Sequence, residues 1–269
     1  DGNSGNTFFH AAVKEGKIDT IMTTIDALIN HPDLLKILLG DENKEVYIKK
    51  AVNIFTNDYK SALEIRSDDD ILFVANELLN AYKNTNDPKS KGKITDALLM
   101  TDDEQNTFLH RASLFHNNAI IKTTIDALKD QPEKLQNLLM VSNYEGNTFL
   151  HFAASSGKSE IIKTTIEALN DRPEILHKLL MAKSEYEETF LHYAAWNNKS
   201  EVIQTTLEII KESPDMLEKL LMAANSNNNT FLHSAAKIGE SGIIKTTIEA
   251  LNDRPEILHK LLMAKDEDG

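Results

Sequence analysis

Apolar side chains recur along this chain at three- and four-residue spacing, in short blocks separated by polar breaks. Ile162, Thr165, Ile166 and Leu169 share one face of a predicted helix that starts near Ser159, a plausible cap. Asn170 and Asp171 interrupt that pattern. Pro173 then suits the first turn of a further helix, where its missing N–H costs nothing. Ile175, Leu176, Leu179 and Leu180 supply the apolar face of that helix. A shorter helix precedes both, over Phe149 to Ser156. Its start is marked by Thr148, whose hydroxyl can accept from backbone N–H groups one turn in. No segment alternates as a half-buried strand does, so the predicted class is all-α.

This three-helix pattern repeats. The string Thr-Phe-Leu-His begins at Thr107, Thr148, Thr189 and Thr230, each 41 residues after the last, and Thr-Phe-Phe-His begins at Thr7. Pro32, Pro132, Pro173, Pro214 and Pro255 each fall 25 residues after their threonine, and a pair of threonines recurs in the same five units. Residues 161–183 return unchanged as 243–265, which only duplication explains. The first helix stops at a position held by Gly16, His116, Gly157, Asn198 and Gly239, residues that tolerate a left-handed backbone. Six units follow, at about 1–41, 42–101, 102–142, 143–183, 184–224 and 225–265, in a single repeat domain.

The second unit is degenerate. Val46 to Val52 stands in for its first helix, Asp69 to Tyr82 forms its second, and Ile94 to Met100 its third. Two polar stretches, Thr56 to Asp68 and Lys83 to Lys93, hold the extra length and read as surface loops.

The strings Thr148-Phe-Leu-His-Phe-Ala-Ala154, Thr189-Phe-Leu-His-Tyr-Ala-Ala195 and Thr230-Phe-Leu-His-Ser-Ala-Ala236 resemble the ankyrin repeat, whose first helix opens Thr-Pro-Leu-His-x-Ala-Ala. The glycine stop and the Glu-Ile-Ile-Lys helix opening fit as well. Two departures stand out. The family period is about 33 residues, so the Pro173-type helix is an addition, and phenylalanine replaces the proline after the threonine and is expected to pack on that added helix. The resemblance covers nearly the whole chain. It implies an ankyrin-like helical solenoid whose motif histidines, His10, His110, His151, His192 and His233, bond the threonine and neighbouring backbone and tie adjacent units together. The closing Lys265-Asp-Glu-Asp-Gly269 resembles the lead-in to another unit, which points to a fragment of a longer array.

Composition narrows the function. There are no cysteines among the 269 residues, which removes thiol catalysis, thiolate metal sites and disulfides. A net charge of −13 disfavours nucleic acid and anionic membranes, and no run of 18 apolar residues exists to span a bilayer. One histidine per unit lacks the local spacing of a zinc site. The acidic clusters Asp68–Asp70, Asp102–Glu104 and Glu185–Glu188 lack a calcium loop's alternation and read as solvated loop charge. No phosphate-binding or nucleophile motif occurs, so no catalytic residue, cofactor or metal is expected.

What varies between units is the solvent side of the first helix. In an ankyrin-like stack those positions line the concave face, and here they hold Arg111, Leu114, Phe115, Phe152, Tyr193 and Trp196, an aromatic stripe of the kind that dominates protein interfaces. Tyr144 and Tyr186 lie in the connecting loops. The expected function is a protein-interaction scaffold, monomeric and cytoplasmic, that binds a protein partner through this stripe and the loops. The resemblance extends to effectors that intracellular bacteria deliver into a host cytosol. The alternative is the substrate-targeting segment of a larger enzyme whose catalytic domain lies outside this sequence.

Overall fold

The computed structural model describes residues 68–267, together with the isolated positions Thr24, Thr56 and Lys60. The first unit, Gly16, His10, His31 and the proposed helix at Val46 to Val52 lie outside the described residues. Fourteen α-helices and no strands occur among those described. The chain divides into two compact units at Asp102, residues 1–102 and 103–269.

In the first compact unit, α1 (Asp68–Asn84) packs against α2 (Pro88–Leu98). Ile71, Ala75, Leu78 and Leu79 are fully buried at the three- and four-residue spacing of one helix face. The sequence expectation needs two corrections here. Asp68–Asp70 is the first turn of α1, where carboxylates favour the positive end of the helix dipole, and not a loop. The third helix also starts at Pro88 rather than Ile94, so most of the Lys83–Lys93 stretch is helical. Asp87 caps it, accepting from the Ser90 N–H at 2.9 Å. Ile94 and Leu98 stand 41 residues before Leu135 and Leu139, so the periodicity survives at the apolar end of α2 and the surplus lies before Ile94.

The second compact unit repeats one triplet four times. First helices are α3 (Phe108–Leu114), α6 (Phe149–Ser155), α9 (Phe190–Trp196) and α12 (Phe231–Lys237). Second helices are α4 (Asn118–Leu128), α7 (Ser159–Ala168), α10 (Ser200–Ile210) and α13 (Ser241–Ala250). Third helices are α5 (Pro132–Leu139), α8 (Pro173–Leu180), α11 (Pro214–Leu221) and α14 (Pro255–Leu262). Each first helix packs on the next first helix and each second on the next second, which makes a helical solenoid in which a unit touches mainly its neighbours.

The local chemistry follows the repeat. Every third helix has its proline in the first turn. The first-helix stops His116, Gly157, Asn198 and Gly239 all take positive φ, between 55° and 76°, as the residue types at that position require. The phenylalanines Phe108, Phe149, Phe190 and Phe231 are the largest fully buried side chains of this unit. Of each threonine pair the second member, such as Thr165, is buried, and its hydroxyl donates to the carbonyl four residues back. Ser159 departs from expectation. It is the first residue of α7, and its hydroxyl donates to Glu201 Oε1 of the next repeat at 2.8 Å instead of capping its own helix.

Candidate protein-interaction surface

The stack is fastened at two levels, and together they decide which side chains are left to face a partner. The inner level is the motif histidine. His151 Nδ1 lies 3.1 Å from the Thr148 backbone nitrogen and 3.0 Å from its hydroxyl, and His151 Nε2 lies 3.0 Å from the Glu188 carbonyl oxygen. A backbone N–H can only donate and a carbonyl can only accept, so the ring must be neutral with its proton on Nε2. His110 and His192 repeat the arrangement, reaching the carbonyls of Asn147 and Asn229 at 2.9 Å each. Burial outweighs the hydrogen bonds and holds the His151 pKa down to about 4, with His110 and His192 adding repulsion. The same burial lowers that of His192.

The outer level is the connecting turn. Asn143 Oδ1 accepts from the N–H groups of Glu145 and Asn147, and Ser184 Oγ and Asn225 Oδ1 do the same in the next two turns. Gln105, Gly146, Glu187 and Asn228 take the left-handed backbone that each turn needs. Successive turns are laced together by one backbone bond apiece: Tyr144 N to Glu104 O at 3.3 Å, Glu185 N to Glu145 O at 2.9 Å, and Ser226 N to Tyr186 O at 3.1 Å.

Against this framework the eight sequence-predicted binding residues separate into two groups. Phe152 stacks edge-on against His110, with ring centroids 5.2 Å apart, and Tyr193 against His151 at 5.1 Å. The Tyr193 hydroxyl bonds the side chains of Ser184 and Asn147, and burial raises its pKa above the ordinary phenol value despite them. These two rings are half-buried parts of the seam between repeats, and Arg111 and Leu114 are half-buried as well. The equivalent Ser234 is fully buried.

The other four stand out in solvent: Phe115 at 54% exposure, Trp196 at 39%, Tyr144 at 67% and Tyr186 at 58%. Trp196 is held in place by its indole N–H, which donates to Glu188 Oε1 at 2.8 Å, and Asn225 Nδ2 reaches the same oxygen at 3.2 Å. A hydrogen bond with Glu185 pushes the Tyr186 pKa up. Glu104, Glu145, Glu185 and Glu187 are exposed around the two tyrosines. Sequence reasoning passed over Ile238, exposed on the last first helix at the position equivalent to Phe115. The turn-to-turn lacing left no signal in residue type, because it runs through backbone atoms.

Among the described residues no group of His, Asp and Glu could hold a metal ion, and no helix is long and apolar enough to cross a membrane. No curated protein matches the chain. A family model described as ankyrin repeats (3 copies) matches residues 109–215, which runs from the first helix of one triplet to the third helix of the second triplet after it. Ankyrin repeats are generally protein–protein interaction modules and typically lack catalysis. The phenylalanine that stands in place of the motif proline and the added third helix do not obscure the match: residues 109–215 of this chain are an array of ankyrin repeats.

Proposed function

We propose that this chain is a non-catalytic binding module that recognises a protein partner through its first-helix face and the adjoining turns. Phe115, Trp196, Tyr144 and Tyr186 are its primary contacts, and Arg111, Leu114, Phe152 and Tyr193 form the half-buried floor beside them. One observation carries this reading: the repeat does not need aromatics where the exposed ones stand. The positions equivalent to Phe115 hold Ser156, Asn197 and Ile238, and those equivalent to Trp196 hold Leu114, Ser155 and Lys237, so no other described repeat has an aromatic at either. Tyr144 has Glu185 and Ser226 as counterparts, and Tyr186 has Glu145 and Asn227. Those neighbours keep the same helices and turns, so stacking gives no reason for the large apolar surface. Tyr and Trp, with few rotors and a polar tip, supply contact area at low entropic cost. The bond from Trp196 to Glu188 fixes its ring before any partner arrives.

The test compares the chain with a variant carrying Phe115→Ser, Tyr144→Ser, Tyr186→Ser and Trp196→Ala as baits in a cell lysate. Circular dichroism melts show whether both are folded. The expected result is an unchanged melt with loss of a captured protein. A folded variant that retains every protein captured by the parent overturns the assignment.

A further inference from the structure

Charge is mixed on the second helices and of one sign on the connecting turns. Lys122, Lys163 and Lys245 each stand four residues before a carboxylate, and Lys245 lies 3.8 Å from Glu249. Residues 103–106, 143–147 and 184–188 hold six carboxylates and no Lys, Arg or His. Lys183, just before the last of these turns, directs its ammonium to Glu187 at 3.3 Å and to the Ala224 carbonyl at 2.9 Å. Acidic turns alone are ordinary solvated charge. What sets these apart is the pair of exposed rings, Tyr144 and Tyr186, standing among the carboxylates.

The lacing bonds put these groups in register. Tyr144 is joined to Glu104 of the preceding turn, and Glu185, next to Tyr186, is joined to Glu145. Each ring therefore has carboxylates of its own turn and of a neighbouring turn beside it. The Tyr186 phenol registers the field: its bond with Glu185 raises its pKa first, and the charges of Glu185, Glu145 and Glu188 push the same way. A ring face attracts a cation, and a carboxylate in reach of the same cation adds a charge-assisted hydrogen bond. An acidic partner would bring like charge against this ridge, and an apolar one would strip water from its carboxylates without pairing them. Spacing narrows the partner further. Packed helices lie about 8–10 Å apart, so one turn follows the next at roughly that distance. An extended segment rises about 3.3 Å per residue, so every third residue meets a new turn.

From this register of rings and carboxylates we infer that the ridge of Tyr144 and Tyr186 binds an extended, arginine-rich segment of a partner protein, with arginine at every third position. One guanidinium lies over each ring and donates to Glu104, Glu145 or Glu185. Arginine suits the ridge better than lysine, because a planar guanidinium stacks on a ring while its edge forks to a carboxylate. The inference rests on the surface proposed above and adds the chemistry of its partner.

The test titrates the full chain with a labelled peptide of four Arg-Ser-Gly triplets, read by fluorescence anisotropy. Two peptides serve as comparisons, an isomer with its four arginines adjacent and a version with glutamate for each arginine. One variant removes the rings, Tyr144→Ser with Tyr186→Ser, and one the charges, Glu104→Gln, Glu145→Gln, Glu185→Gln and Glu187→Gln. A charge-matched control carries Asp126→Asn, Glu167→Gln, Glu208→Gln and Glu249→Gln, all exposed on the second helices. Circular dichroism melts establish that each is folded. The expected Kd is weaker by roughly tenfold or more in the charge variant and roughly fivefold or more in the ring variant, with less than about a twofold change in the control. The adjacent isomer should bind the parent more weakly and the glutamate peptide not at all, results that hold even where a variant fails to fold. Equal affinity for the parent and the folded ridge variants overturns the inference. So does an equal loss in the control, or an adjacent isomer that binds as tightly. In lysate capture, a protein lost by the aromatic variant but kept by the glutamine variant also overturns it, and leaves the surface itself standing.

Discussion

Replacing His151 with alanine removes one ring and leaves one buried backbone group without its partner. The Thr148 N–H loses its acceptor at 3.1 Å, while the Glu188 carbonyl loses the ring's bond at 3.0 Å and keeps the Ser184 N–H at 2.9 Å. The orphaned N–H costs about 1–3 kcal/mol and the lost inter-repeat bond about 0.5–1.5 kcal/mol, and loss of the edge-on contact with Tyr193 adds about 0.5–1.5 kcal/mol. The expected destabilisation is about 4 kcal/mol, which for this length of chain is a fall in Tm on the order of 10 °C. His233→Ala is the internal comparison. That ring is half-exposed and, among the described residues, bonds only Thr230, through its N–H and hydroxyl, so its loss should cost about 1–2 kcal/mol. Urea unfolding would be followed by far-UV circular dichroism and by fluorescence of Trp196, the sole tryptophan, which sits in the repeat that His151 fastens. Equal losses for the two variants, or a loss below about 1 kcal/mol for His151→Ala, would refute the claim that the inter-repeat bond makes this histidine matter.

Acid should weaken the stack through the same ring. The folded pKa of His151 lies near 4, below the ordinary 6.5, so the unfolded chain takes up its proton first. Stability should therefore fall as pH drops from about 6.5 and level off below about 4, by roughly 3 kcal/mol from this group, and urea midpoints across that range should show a shallower slope in His151→Ala. Gly146→Ala should cost about 2 kcal/mol or more, because a Cβ there would sit 2.7 Å from the Glu185 backbone nitrogen at φ +76°. Gly239→Ala, at the same φ with open space around it, should cost only about 1 kcal/mol, and paired chemical melts would separate the two. Leu180→Ala should lose about 2–5 kcal/mol and Leu262→Ala under about 1 kcal/mol, a contrast that urea titration of the two variants would measure directly.

The sequence made the helices, their order and their stops readable, because each rests on local chemistry: a threonine cap, a proline in a first turn, a residue that accepts positive φ. The second unit was less readable. Pro88 stands three residues ahead of its expected place, so the proline register missed it, although Ile94 and Leu98 keep the 41-residue spacing to Leu135 and Leu139. Helical spacing groups Phe152 and Tyr193 with Trp196 as one stripe, since the two repeat positions they occupy lie three residues apart on one face of the first helix. Which of them packs inward depends on the neighbouring repeat's histidine, and the signal for that was available: each stands 42 residues after the histidine it touches.

Leu180 and Leu262 show where such reading must stop. Both lie in the same string of 23 identical residues, with identical helix signals, yet one is fully buried and the other half-exposed. No property of that string distinguishes them, because burial in a stack belongs to the pair of neighbouring repeats and not to either one. The same reasoning explains why His151 and His233, with the same four-residue motif around them, should differ in what they contribute to stability. In this chain the motif fixes what a side chain can do, and the repeat that follows decides whether it does it.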